Sequence, residues 1–268
     1  MSRSIPSTLA VLALLTAPLA LPALTPLRAQ AQQMTVAQAT ELLNASSPDE
    51  VRMGIETLGL LGSPQAVAPI SARIRGGLPP ELLSTAVDTL GILGRAEAGP
   101  VLFELLAHRR PEIRLRAVQA IGMCVPRGAD RALIPSLSDS SAEVRAAAAE
   151  ALLSLRATSA VPELFLAFEH DVLQAGPALA ALARPEEVPR ILGYLGRLPF
   201  ATLRPMLLTL LQRADLPARA RIELVARLGE LATAEVRVLL EEFIAGLPAG
   251  DNSPLRRAAE DTMNRIAG

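Results

Sequence analysis

Few side chains in this sequence could do chemistry. The chain contains two histidines, His108 and His170, which are candidates for a shared metal ion or an acid–base pair. They lie 62 positions apart, at matching places in a pattern that repeats about every 31 residues. Because packed helices lie about 8–10 Å apart, equivalent sites two units apart are roughly 20 Å distant. A zinc–nitrogen bond is only about 2 Å long. We therefore interpret each histidine as a residue near the negative end of a helix.

The single cysteine, Cys124, excludes an intrachain disulfide. It occupies the slot of Leu93, an apolar position of a predicted helix, so we expect a small buried hydrophobe. The sequence has no glycine-rich phosphate loop, no paired-cysteine metal signature and no Ser-His-Asp pattern. We predict no catalytic residue, no metal site and no cofactor.

The composition indicates an all-α fold. Half of the 268 residues are hydrophobic but only 2% are aromatic, so the core must consist of Ala, Leu, Val and Ile. Ala and Leu are strong helix formers, whereas strands are enriched in aromatic residues. The net charge of −1 provides no basic excess for binding nucleic acid.

Residues 1–31 have the order of a bacterial signal peptide. Arg3 precedes an apolar run from Leu9 to Leu24, and the segment ends in Ala29-Gln30-Ala31. Pro18 and Pro22 interrupt the run and Pro26 follows it, which argues against a membrane-spanning helix. We expect an exported protein, periplasmic or secreted, that contacts the membrane only if this segment is retained as an anchor.

The rest of the sequence repeats. The phrase TLGLLGSPQAVAPI (57–70) returns as TLGILGRAEAGPVL (89–102), with the apolar letters kept. In each unit, apolar residues at helical spacing precede a break containing Gly or Pro, and a second apolar segment follows. This pattern predicts a hairpin of two short helices. Such a hairpin cannot bury its own apolar face, so it must stack on a neighbour.

These units resemble HEAT repeats. The resemblance rests on VRMGIETLGLLG, IRLRAVQAIG and VRAAAAEALLSL, each followed by a turn and a second segment such as AVPELFLAF. They are most similar to the short bacterial subtype named after phycobilisome lyases. The resemblance implies an all-α solenoid of stacked antiparallel helical hairpins, with a period of about 31 residues.

Four parts of the chain follow from this interpretation. We expect a signal peptide in 1–31, a capping helix in 32–47 and five repeats in 48–196. Degenerate helical repeats and a C-terminal cap then occupy 197–268. This last part contains four predicted helices, and the sequence leaves their pairing open.

Three arginines occupy matching positions near the start of a unit, namely Arg52, Arg114 and Arg145. Each follows an acidic residue by two or three positions. In HEAT proteins the acids and arginines of successive repeats form a ladder along the inter-repeat turns. The resemblance therefore implies a structural role for these three residues.

The expected function is binding. In stacked hairpins the second helices line a face suited to extended protein segments. The exposed candidates on that face are Glu97, Glu104, Glu163, Glu186 and Arg190. We predict a non-catalytic protein–protein interaction scaffold of the cell envelope, with a protein partner that the sequence does not name.

Two alternatives remain open. One is an enzyme resembling HEAT-repeat lyases or hydroxylases; the hydroxylases use His-Glu pairs, and this chain has no His-Glu dipeptide. The other is a structural subunit of an envelope assembly.

Overall fold

A computed structural model describes residues 34–267. This part of the chain forms fifteen α-helices and no β-strand, which confirms the predicted all-α fold. None of these helices combines the length and apolar character that crossing a bilayer requires. The predicted signal peptide and the first two residues of the predicted capping segment lie outside the described residues.

The helices form a file of antiparallel hairpins behind one short helix, α1 (Val36–Leu42). The first helices of five hairpins are α2 (Pro48–Leu61), α4 (Pro80–Leu93), α6 (Pro111–Cys124), α8 (Ala142–Ser154) and α10 (Ala175–Leu182). Their second helices are α3 (Val67–Arg75), α5 (Gly99–Leu105), α7 (Ala129–Leu133), α9 (Val161–Glu169) and α11 (Val188–Leu192). Four helices follow: α12 (Phe200–Gln212), α13 (Ala218–Leu231), α14 (Ala234–Ala245) and α15 (Pro254–Ala267).

Prolines mark the starts of many helices. Pro48, Pro80 and Pro111 are the first residues of α2, α4 and α6, where the missing N–H would have no helical partner. A short 3₁₀ turn precedes four of the second helices. In the third hairpin this order is reversed, and the 3₁₀ segment Ile134–Ser138 follows α7.

The first helices end in left-handed residues. As expected from the sequence, Gly62 and Gly94 both have φ of 62° at the ends of α2 and α4. In the next two hairpins the left-handed residues are Val125 (φ 46°) and Arg156 (φ 51°). A β-branched residue is strained in this conformation, because its Cβ crowds the backbone. The turn after α6 therefore stores strain that the glycine turns do not.

Glycines inside the first helices control how the hairpins stack. A Cβ on Gly91 would lie 3.3 Å from both Cα and Cβ of Ala120, so the two backbones are in close contact there. A Cβ on Gly59 would lie 3.0 Å from Thr89 Cγ2. Glycine recurs at this position in the sequence because, in the structure, the next first helix packs closely against it. The contacting pairs are Gly59 with Thr89, Gly91 with Ala120 and Gly122 with Ala151.

The fourth hairpin departs from this rule. Leu153 occupies the slot that glycine fills in the three hairpins before it, and its side chain is half-buried. The first helices α8 and α10 therefore meet without the glycine contact that joins α2, α4, α6 and α8.

The same kind of contact closes both ends of the file. At the N-terminal end, a Cβ on Gly54 of α2 would lie 2.9 Å from the Ala39 carbonyl oxygen of α1. At the C-terminal end, α13 packs on α15, where a Cβ on Gly229 would lie 2.8 Å from Thr262 Cγ2. Helices α13 and α15 thus pack against each other through a glycine, as successive first helices do.

The strained turn predicts that Val125→Gly stabilises the protein by about 1 kcal/mol, because glycine adopts this conformation without steric cost. The matched reverse change is Gly62→Val, in the equivalent turn of the first hairpin. A Cβ at Gly62 would meet no atom within 4 Å, so only backbone strain is added. Chemical denaturation should move the two midpoints in opposite directions. An unchanged midpoint for Val125→Gly would contradict the strain.

Candidate interaction surface

The two histidines lie at helix ends. His108 is half-buried beyond α5, and its Nδ1 accepts a hydrogen bond from the Arg110 backbone N–H at 3.2 Å. His170 is exposed and directly follows α9. Across residues 34–267, His, Cys, Asp and Glu side chains form no group that could hold a metal ion. The positions agree with the helix-end interpretation of both residues.

Cys124 is buried, as predicted, with 4% of its surface exposed. Its thiol donates a hydrogen bond to the Leu90 carbonyl at 3.2 Å, which joins α6 to α4. Burial raises the pKa of the Cys124 thiol, because the apolar surroundings disfavour the thiolate. The residue acts as part of the packing between two hairpins.

Two of the three matching arginines meet at one aspartate. Arg114 donates to both carboxylate oxygens of Asp139, from Nε at 2.7 Å and from Nη2 at 2.6 Å. Arg145 donates to the backbone carbonyl of the same Asp139 at 2.8 Å. Arg52 is exposed and forms no ion pair or side-chain hydrogen bond in the described part of the chain. The acid that Arg114 contacts lies in the following turn, 25 positions further on.

The Arg114–Asp139 pair is largely shielded from water. The two side chains are 13% and 11% exposed, and Asp139 also accepts the Ser141 backbone N–H at 2.8 Å. The Arg114 guanidinium holds the pKa of the Asp139 carboxyl below its usual range through these hydrogen bonds. The pair fixes the turn between the third and fourth hairpins.

Three of the predicted binding residues are exposed acids on the second-helix side. Glu97 lies in the turn before α5, and Glu104 accepts a hydrogen bond from Arg75 Nη2 at 2.9 Å. Glu186 lies 3.4 Å from Arg184 Nε, in the turn before α11. The Arg75–Glu104 pair links the second helices of the first two hairpins.

Glu163 differs from its prediction as an exposed residue. It is half-buried in α9, and its Oε2 atom is buried without a hydrogen-bond partner. Glu163 occupies the slot that Ile70 and Val101 fill in earlier second helices, and both of those residues are buried. Glu163 is thus less exposed than predicted, whereas Arg190, in the matching slot of the fifth hairpin, is exposed.

Arg190 is part of a cluster that joins the fourth and fifth hairpins. Its Nη2 donates to Glu169 Oε1 at 2.9 Å, and its guanidinium lies 4.1 Å from the centre of the Phe165 ring. The Tyr194 hydroxyl donates to the same Glu169 oxygen at 2.8 Å. Burial and the neighbouring carboxylate raise the pKa of Tyr194 to about 12. Sequence analysis missed Glu169 and Tyr194, since neither belongs to the repeating pattern.

A groove crosses the second-helix side near the N-terminal end. One cavity of ≈470 Å³ lies between α1 and α3 and is lined by Leu43, Asn44 and Ala72. A second cavity of ≈380 Å³ lies between α3 and α5 and is lined by Ala72, Glu97 and Val101 among others. The two cavities lie on either side of α3 and both border the exposed Ala72; together we name them the second-helix groove.

A second surface feature lies on the first helices. Leu60, Ile92 and Met123 each directly follow the packing glycine of their hairpin, and they are 62%, 73% and 59% exposed. We name them the first-helix row. The sequence does show that this slot holds an apolar residue in three successive units. Helical periodicity alone did not show that this slot faces solvent.

Removing the buried ion pair should destabilise the protein. We expect Arg114→Ala to cost about 2 kcal/mol, because the charged Asp139 loses its main partner. Arg52→Ala, at the matching exposed position, should change stability by less than about 0.5 kcal/mol. Loss of partner binding by Arg114→Ala at an unchanged melting temperature would contradict the structural role.

Acid should weaken the same pair. The pKa of folded Asp139 lies below its unfolded value of about 3.9. Its stabilisation is therefore complete above that value and is lost as the pH falls through the folded pKa. Melting temperatures measured from pH 6 to pH 3 should fall less steeply for Asp139→Asn than for the native sequence. Parallel curves would exclude this contribution.

Burial of Cys124 predicts slow chemical modification. A maleimide reagent should label Cys124 only after denaturation, because the thiol is enclosed and its pKa is raised. A chain carrying Cys124→Ala and Ser154→Cys provides an exposed control, which should label at once in native buffer. Equally rapid labelling of the native Cys124 would show that the first helices separate readily.

Comparison with known proteins identifies the repeat. The family model described as HEAT repeats matches residues 36–122 and 99–183. No curated protein matches the sequence. Among solved structures, the CpcE–CpcF complex of phycocyanin lyase from Nostoc sp. PCC7120 is 21% identical, with a TM-score of 0.49. The match covers 87% of this chain and 95% of that one.

Two further structures match most of the chain. A homology model of the full-length AP-3 complex is 13% identical with a TM-score of 0.54, over 85% of this chain and 50% of that one. This chain thus spans about half of the AP-3 chain that it matches. Human deoxyhypusine hydroxylase in complex with glycerol is 19% identical with a TM-score of 0.41, over 90% and 96% of the two chains.

At 13% identity, the AP-3 match describes the fold alone. The two matched segments overlap and together cover residues 36–183, more than half of the 268-residue chain. The hairpins, their glycine contacts and this match agree, and the chain belongs to the HEAT-repeat family.

Proposed function

We propose that this protein is a non-catalytic scaffold of the cell envelope, which holds an extended segment of a partner protein in the second-helix groove. The groove is the observation that carries the proposal. It crosses α1, α3 and α5, so a bound segment would contact several elements at once.

The walls of the groove suit a polypeptide. Ala68, Ala72 and Val101 give it an apolar lining of small side chains, which leaves room for a partner backbone. Arg75 and Glu97 place opposite charges at its border. An apolar floor with a few polar groups at the rim is the usual composition of a protein-binding site.

The chemistry-bearing side chains support a non-catalytic role. Cys124 bonds to a backbone carbonyl, Asp139 to Arg114, and Tyr194 to Glu169. The pKa values of Asp139 and Glu169 are lowered by these partners, whereas that of Tyr194 is raised. Each shift moves the group away from neutral pH, the region in which general acids and bases work best.

The envelope location depends on the predicted signal peptide in residues 1–31, which would export the repeats. Fractionation of the native organism tests it directly. We expect the protein in the periplasmic or secreted fraction with residues 1–31 removed. A full-length chain in the cytoplasm would refute the envelope role and leave the binding role to be judged separately.

Site-specific crosslinking tests the groove. A photoactivatable residue at Glu97 should capture a partner in intact cells, whereas the same residue at Glu150, exposed on α8, should not. Ala72→Arg should abolish the capture by filling the groove, and Ala107→Arg, at an exposed site outside it, should leave the capture unchanged. Equal capture from both positions, or capture that survives Ala72→Arg, would refute the groove as the binding site.

A further inference from the structure

The first-helix row is an unusual surface feature. Single exposed hydrophobic residues are common on soluble proteins and need no explanation. Leu60, Ile92 and Met123, however, occupy one slot in three successive hairpins, each more than half exposed. A repeated slot places them in a line across α2, α4 and α6, and ordered exposed apolar residues mark interaction sites.

The row is continuous between α4 and α6. A Cβ on Gly91, the neighbour of Ile92, would lie 3.2 Å from the Met123 sulfur, so the Met123 side chain reaches over α4. Packed helices are about 8–10 Å apart. An extended chain advances about 3.3 Å per residue. A segment lying across the helices would therefore place every third side chain on the row.

The turn side of the row carries positive charge. Arg95, Arg127 and Arg156 lie in the turns that follow α4, α6 and α8, and all three are exposed. Within residues 34–267 none of them forms an ion pair or a side-chain hydrogen bond. Arginine pairs readily with carboxylates through two parallel hydrogen bonds. These guanidinium groups are available to an acidic partner.

The acids nearby are directed elsewhere or already bonded. Glu97 lines the second-helix groove, and Asp130 accepts a hydrogen bond from the Ser159 hydroxyl at 2.9 Å. On the first helices, Asp88 pairs with Arg116, while Glu56 and Glu150 are exposed on the opposite side of the row from the arginines. A partner's carboxylates are therefore favoured only on the side of the row that faces the turns.

Shallow cavities adjoin the same turns. Val125, which is 59% exposed, and Arg156 line one cavity of ≈380 Å³. Arg156 also borders a cavity of ≈710 Å³ with Leu153 and Arg184. Side chains of a bound segment could enter both.

The size of the row favours a narrow occupant. Stable dimers of globular proteins bury about 800 Å² on each partner. A line one side chain wide across three helices offers much less apolar area than that. The row fits a single extended chain better than a second folded copy.

We propose that the first-helix row binds an extended acidic segment of another protein, with an apolar side chain at every third position. Its apolar side chains contact Leu60, Ile92 and Met123, and its carboxylates pair with Arg95, Arg127 and Arg156. The site is separate from the second-helix groove and does not depend on the function proposed for it.

Synthetic peptides provide the probe. A fluorescein-labelled peptide of three Asp-Glu-Leu triplets is titrated with the whole protein, and binding is followed by fluorescence anisotropy. Its counterparts contain Lys-Arg-Leu or Asp-Glu-Ser triplets. We expect saturable binding of the Asp-Glu-Leu peptide alone, weakened by added salt because the contacts include exposed charges. Equal binding of the Lys-Arg-Leu peptide, or no saturable binding of any peptide, would overturn the proposal.

Variants test the location. Ile92→Ser with Met123→Ser, and separately Arg95→Ala with Arg127→Ala, should each weaken binding by about tenfold or more. The matched controls replace other exposed residues away from the row: Leu166→Ser with Val238→Ser, and Arg109→Ala with Arg219→Ala. Both controls should bind like the native protein. Affinities that fall equally in test and control variants would overturn the proposed site.

Other occupants have distinct signatures. Sedimentation that shows a concentration-dependent dimer, abolished by Ile92→Ser with Met123→Ser, would overturn the proposal in favour of a second copy. Flotation with anionic phosphatidylglycerol vesicles, lost in the same variant, would overturn it in favour of a membrane surface. A monomer that does not bind such vesicles but binds the acidic peptide supports the proposal. Thermal melting of every variant confirms that the fold is retained.

Discussion

The whole architecture depends on close contact between successive first helices. Gly59, Gly91 and Gly122 lack a side chain at the points where the next first helix approaches within van der Waals distance. Each hairpin can bury its apolar face only against its neighbours, so this approach determines how well the core is enclosed. The same type of contact seats α1 on Gly54 and α15 on Gly229, which closes both ends of the file.

Polar hydrogen bonds between hairpins fix the position of each hairpin relative to the next. Arg114 and Arg145 both bind Asp139, and Glu169 gathers Arg190 and Tyr194. These bonds connect neighbouring hairpins and occupy Asp139, Glu169 and Tyr194. The second-helix groove and the first-helix row are built instead from small or apolar residues with charged residues beside them.

The period of the sequence predicted much of the fold, because apolar spacing, helix-starting prolines and glycine turns depend on local chain geometry. It predicted the burial of Cys124 for the same reason. It overestimated the exposure of Glu163, since the sequence shows that the residue is acidic but not how closely its neighbours enclose it. It also gave Arg52 and Arg114 the same role, although only Arg114 has an acid in the next turn to bind. The first-helix row was missed because periodicity treats every apolar letter as buried.

Leu153 in place of the fourth glycine has a mechanical consequence. A stack joined by neighbour contacts transmits load through each joint in series, so its elasticity is set by the least stiff joint. At the three joints before α8 a glycine lies directly against the next first helix, which resists shear, whereas α8 carries the longer, rotatable side chain of Leu153 in that slot. A pulling force on the two ends would bend the rod between the fourth and fifth hairpins first.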